Sequence, residues 1–164
     1  MKQMKRTLLM LGATASLLIA SCSRNNDAAE KIEHLPNEVI LSWNEISYLA
    51  FGGTNYQHSL MASRINAMVH IAMHDALNAV YPKYNTYAFK GKDAGADPVA
   101  AAASAAHTVL LHEIQDKKSY LDSALGQTLL TLADGDAKTR GVELGKGAGL
   151  AIIADRAQDG SEGN

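Results

Sequence analysis

The chain of 164 residues has one cysteine, so no intrachain disulfide can staple it. Basic residues do not outnumber acidic ones. Fifteen Lys and Arg against 17 Asp and Glu leave a formal charge of −2, which gives no reason to expect a nucleic-acid partner, whose footprint needs a basic surplus or stripe. No apolar run reaches the roughly 20 residues of a transmembrane helix, and none alternates with period two, so no sheet is predicted. β-Branched residues are scarce, with six Val and nine Ile against 27 Ala, and this balance leans to helix. A Gly-x-Ser-x-Gly elbow, a phosphate-cradling loop and a dinucleotide glycine fingerprint are all missing. Gly145-Lys146-Gly147 sits inside a helical pattern with no strand before it. What is present is a chain 47% hydrophobic and 20% charged, which excludes bulk disorder and has the length of one domain.

The first 21 residues read as an address. Lys2, Lys5 and Arg6 precede a short apolar run that ends Leu18-Ile19-Ala20-Ser21-Cys22, the layout of a secretory signal. Small residues directly before the one cysteine resemble the bacterial lipobox. That resemblance implies cleavage before Cys22, acylation of its thiol and new amino group, and export to a bacterial membrane, with the lipid bilayer as partner. Two or more acyl chains anchor firmly, because each buried CH₂ contributes about 0.8 kcal/mol. Residues 1–21 hold three of the 15 basic residues and none of the 17 acidic ones, so the remainder carries a formal charge of −5. Residues 22–34 are polar without apolar period and read as a tether.

From residue 35 onward the pattern predicts an all-α bundle of about five helices. The first follows Pro36, with Asn37 as its expected cap, carries Val39, Ile40, Trp43, Ile46 and Ala50 at helical spacing, and ends at Gly52-Gly53. Trp43 is expected in the core. The second runs from Ser59 to Val80, with an apolar face from Ile65 to Ala76 and a polar stripe of Ser63, Asn66, His70, His74 and Asn78. A loop with Tyr81, Tyr84, Tyr87 and Phe89 should fold down on the bundle. Asp97-Pro98 opens the third helix, which is almost wholly small from Ala100 to Ala106. The fourth spans Lys118 to Leu132 and the fifth Asp136 to Arg156. Gly141, Gly145 and Gly149 recur every fourth residue in the fifth helix, which predicts a close helix–helix seam.

Two patterns point to chemistry. His70 and His74, four apart on one helix face, have the spacing that lets two imidazoles reach one metal. Ile71 stands where a zinc protease has Glu, Asp75 lies about 100° round the helix, and His107 and His112 can add ligands only if the third helix lies alongside. The other pattern is Ser63-Arg64, five residues, then His70. Ser-Arg-x5-His resembles the third signature of the superfamily of type 2 phosphatidic acid phosphatases and vanadium haloperoxidases. That resemblance implies an arginine gripping phosphate or vanadate and a histidine acting as nucleophile or vanadium ligand. The family continues with Asp four residues later, where this chain has His74, and needs two further signatures, Lys-x6-Arg-Pro and Pro-Ser-Gly-His, which are missing here.

The order of segments resembles that superfamily more broadly. Asn37 to Glu45, Arg64 to Ala79, the Asp97-Pro98 helix with His107, and Asp155 to Ser161 are together similar to the N-terminal helical part of secreted vanadium-dependent haloperoxidase-like proteins. The likeness covers about residues 36–161. It implies half of a larger helical domain, with vanadate or phosphate held by a C-terminal half beyond residue 164. Arg64, His70 and Asp75 match the family's N-terminal helix rather than its catalytic signatures. The expectation is therefore no catalytic residue in this chain, with Arg64 and His70 the nearest to one, and no metal site, with His70 and His74 the nearest to one. The partners expected are the missing half or a second copy. Two other readings stay open: a stand-alone helical lipoprotein that binds a partner or small ligand, and a metal-binding protein using His70 and His74.

Overall fold

The computed structural model describes residues 37–55 and 58–161, and within them five α-helices and no strand. The signal peptide, Cys22 and the tether lie outside the described residues. The helices are α1 (Glu38–Ala50), α2 (Ser59–Val80), α3 (Pro98–Glu113), α4 (Lys118–Leu130) and α5 (Asp136–Arg156), with short 3₁₀ turns at Gly53–Asn55 and Gln115–Lys117. The fold is all-α, as helical spacing predicts. No described helix is long and apolar enough to cross a membrane.

The helix ends follow local chemistry. Asp97 accepts the Ala100 N–H at 2.8 Å, and Pro98 takes the first helical position, where its missing N–H has no bond to lose. Gly52 and Gly53 end α1 with φ of +103° and +58°, a region that side chains with a Cβ avoid. Asn37 departs from expectation. Its backbone is helical and its side chain caps nothing; its carbonyl accepts the Ile40 and Leu41 N–H groups instead. α4 ends at Leu130, and residues 131–132 form a tighter turn bonded to Thr128 and Leu129.

α3 runs through the middle and touches all four other helices. A helix surrounded on every side has no polar face to keep, which is why Ala100 to Ala106 are all buried. Against it lies α5. A Cβ on Gly141 would lie 2.5 Å from the Asp97 carbonyl oxygen, one on Gly145 2.1 Å from that of Ala101, and one on Gly149 2.6 Å from Thr108 Cβ. The two helices therefore meet backbone to backbone. Rising residue numbers on one meet rising numbers on the other, so they run parallel, and α4 returns between them in the chain. Trp43, Met73, Leu110, Leu121 and Ile152 fill the remaining core. α4 is peripheral: only Leu121 of its leucines is buried, and Leu130 is exposed.

Candidate functional site

The polar stripe of α2 is bonded to its neighbours. Ser63 Oγ donates to the Ser59 carbonyl at 2.8 Å, and Ser47 of α1 donates to Asn66 Oδ1. His70 Nε2 lies 3.2 Å from Asn44 Oδ1 on α1. His74 Nε2 lies 3.1 Å from the Asn85 carbonyl, and its ring stacks beside Tyr84 with centroids 6.2 Å apart. A carbonyl only accepts, so His74 carries its proton on Nε2 and that nitrogen has no lone pair for a metal. The two histidines thus turn to different partners, one to α1 and one to the loop. Among the described residues no group of three or more His, Cys, Asp or Glu is placed to hold a metal ion.

Arg64 faces another way. Its Nε donates to Asp159 at 3.0 Å, its Nη1 to Glu113 at 3.2 Å and its Nη2 to the Arg156 carbonyl at 3.3 Å. The guanidinium ties α2 to the end of α3 and to the turn after α5. The bond to Asp159 raises the Arg64 pKa, and the same bond, with help from Ser161, lowers that of Asp159 to about 2. Six residues at about 100° each set Arg64 and His70 about 120° apart on the helix. The structure does not bring them together, and an oxyanion beside Arg64 would meet two carboxylates.

The sequence reading missed what Asp75 does. It is 1% exposed, and its carboxylate accepts three backbone N–H groups, from Tyr87 (2.7 Å), Ala88 (2.7 Å) and Phe89 (2.8 Å). Asn78 adds bonds from the Lys83 and Tyr84 N–H groups and donates to the His74 carbonyl. These two side chains hold down the loop between α2 and α3. Its aromatics do less than expected: Phe89 and Tyr81 rest on the core, whereas Tyr84 and Tyr87 are exposed. The legible signal was an acid and an amide three apart, just before a loop that must run back along its own helix.

The concave feature of most interest is a groove of about 670 Å³ between α3, α4 and α5. Leu111, Leu125, Val142, Leu150 and Ile153 make its apolar walls, and Lys118, Lys146 and His112 stand round it. Ser104 and His107 line it from α3. Ser104 is 2% exposed, and its Oγ has no hydrogen-bond partner. His107 pairs with Asp122 at 2.9 Å and meets the edge of Trp43, with ring centroids 6.3 Å apart. No Asp or Glu lines the groove. Comparison of the chain with protein-family models, with curated proteins and with solved structures finds no match.

Proposed function

We propose that residues 36–161 form the N-terminal helical scaffold of a lipid-anchored enzyme of the vanadium haloperoxidase and type 2 phosphatidic acid phosphatase superfamily. One observation carries the reading. The residues behind the family resemblance hold the frame rather than face a reaction: Trp43 is fully buried, Arg64 bonds two other elements, and Asp75 holds the inter-helix loop. Vanadate does not fit the described residues, since the carboxylates of Glu113 and Asp159 occupy the one arginine the signature offers. Chemistry belongs to the part that bears the other two signatures. The expected results are no turnover by the purified chain given vanadate, peroxide and bromide or a phosphate ester, and an adjoining coding segment with Lys-x6-Arg-Pro and Pro-Ser-Gly-His. A turnover lost in Arg64→Ala or His70→Ala overturns the reading. Metabolic labelling with a fatty-acid analogue checks the anchor: label should enter this chain and vanish in Cys22→Ala.

The α3–α4–α5 groove favours a second reading, a helical lipoprotein that binds a small apolar ligand. Pockets of this size and lining are common ligand sites. A neutral apolar dye that gains fluorescence on the folded chain, and loses it in Leu150→Arg, tests that reading.

A further inference from the structure

From a cavity beside the loop between α2 and α3 we infer a binding site for a phosphorylated small molecule, held by Lys83, Lys90 and Lys92. This goes beyond both readings above and uses neither. The cavity measures about 820 Å³ and is lined by Asn78 of α2 and by loop residues 82–86 and 90–92, a size usual for small-ligand sites. The loop is fixed at two points. Asn78 Oδ1 accepts the Lys83 N–H at 3.2 Å and the Tyr84 N–H at 2.7 Å, and Asp75 accepts those of Tyr87, Ala88 and Phe89. Asn85 and Thr86, which line the cavity, lie between these anchors. Gly91 lets the chain pass close to the Phe89 ring, which a Cβ there would strike, and Lys90 and Lys92 on either side of it both line the cavity.

Charge singles this cavity out. Residues 37–161 hold 13 Asp and Glu against ten Lys and Arg, yet residues 81–92 hold three Lys and no acid. Among the described residues, six of the ten Lys and Arg form ion pairs with carboxylates. Lys83, Lys90, Lys92 and Lys146 do not, and the first three line this one cavity. The flanking acids are engaged: Asp75 with its three amides, and Asp93 with Arg140 Nε at 2.8 Å. Two of the ammonium groups are held in place. Lys90 Nζ donates to the Thr86 and Tyr87 carbonyls at 3.1 and 3.3 Å, which leaves one of its N–H groups to donate. Lys83 Nζ lies 5.7 Å from the centre of the Tyr84 ring. Like charges gathered round one hollow repel each other, and an anion in the hollow reverses the sign of that interaction. The donor type sets the ligand class. A planar carboxylate matches the flat fork of an arginine, and no arginine lines the cavity. Ammonium groups at separate points round a hollow match a phosphate monoester, which carries about two charges near pH 7 and acceptor oxygens facing different ways. A lipid surface is flat and has no need of the hollow.

The test titrates the purified 164-residue chain with glycerol 3-phosphate, with succinate as the dicarboxylate match and phosphatidylglycerol vesicles as the lipid surface. Glycerol 3-phosphate should bind saturably and about tenfold more tightly than succinate, the effect of one further charge-assisted hydrogen bond. It should also move the amide NMR signals of Asn85, Thr86 and Gly91. Lys83→Gln, Lys90→Gln and Lys92→Gln should each weaken it about threefold and the triple variant about thirtyfold, the additive effect of exposed charges. Lys146→Gln changes the net charge by the same amount but lies in α5, away from this cavity, so it should bind as the parent does. All the variants should keep the parent's circular dichroism. Equal affinity for glycerol 3-phosphate and succinate would refute the phosphate assignment. A triple variant that binds like the parent, or a Lys146→Gln as weak as the triple variant, would overturn the site. Binding to vesicles with no binding of glycerol 3-phosphate would overturn the small-molecule assignment and give these lysines to a lipid surface.

Discussion

Gly145→Ala puts one methyl group into the seam between α3 and α5. Two effects oppose each other. Ala is the better helix former by about 1 kcal/mol in a helix interior. The new Cβ would lie 2.1 Å from the Ala101 carbonyl oxygen and 2.9 Å from the Ala105 nitrogen, both main-chain atoms of a buried helix. Favourable contact needs roughly 3.5 Å, so the helices must part by about 1.4 Å there, and a gap of even 1 Å forfeits up to about half of each dispersion well along the seam. Overpacking of this kind costs about 1–3 kcal/mol, and neither neighbour is a flexible side chain that could turn aside. Gly141 and Gly149 make the same close approach one turn away on either side, so the opening spoils their contacts too. With the propensity gain taken off, the expected net loss is about 1 kcal/mol.

Gly126→Ala is the internal control. Gly126 lies in α4, and a Cβ there meets nothing within 4 Å. Propensity acts alone, so this variant should gain about 0.5–1 kcal/mol. Urea unfolding followed by circular dichroism separates the two. With a slope of about 1–3 kcal/mol/M, the Gly145 variant should unfold about 0.5 M earlier than the parent and the Gly126 variant slightly later. If Gly145→Ala moved the midpoint upward as Gly126→Ala does, the reasoning about the seam would be refuted.

Asp75→Ala strips the acceptor from three N–H groups of a buried loop and should lower stability by about 3 kcal/mol or more, with the amides of Tyr87, Ala88 and Phe89 losing hydrogen-exchange protection first. Ser104→Ala removes a buried hydroxyl that has no partner; the folded chain should gain about 1–3 kcal/mol, read as a higher urea midpoint. Asp159 has its pKa lowered from 3.8 to about 2 by the Arg64 bond. The unfolded chain takes up that proton first as pH falls, so the pair's contribution is complete above the ordinary pKa and disappears as pH drops through about 2. Melting temperature measured from about pH 5 to pH 2 should therefore fall more steeply in the parent than in Asp159→Asn, and identical curves would remove Asp159 from the acid response.

Most helix limits were legible because they are set by neighbours in sequence; the Asn37 cap and the end of α4, expected at Leu132 and found at Leu130, were not. The Asp97-Pro98 start, the halt of α2 before Pro82 and the glycine end of α1 depend on φ limits and on a side chain reaching three residues away. The glycine repeat in α5 also read correctly, since a four-residue repeat marks one face whatever lies opposite. The loop after α2 did not, because Asp75 bonds residues 12 to 14 positions later and helical periodicity says nothing about such a partner. The partners of Arg64 were hidden in the same way. Glu113 and Asp159 are 49 and 95 residues away, beyond the reach of any local pattern.

The polar groups of α2 and Ser104 on α3 differ in one physical respect. Each α2 group that drew attention by sequence pattern has a partner within the fold: His70 has Asn44, His74 has Asn85, Arg64 has two carboxylates, and Asp75 has three amides. Burying a hydroxyl without a partner costs about 1–3 kcal/mol. Folding recovers that for the α2 stripe and leaves it unrecovered at Ser104, where the helix is otherwise all small apolar residues and alanine would fit. The histidine and arginine pattern of α2 is thus bonded into the frame, tying α2 to α1, to the end of α3, to the loop after α2 and to the turn after α5.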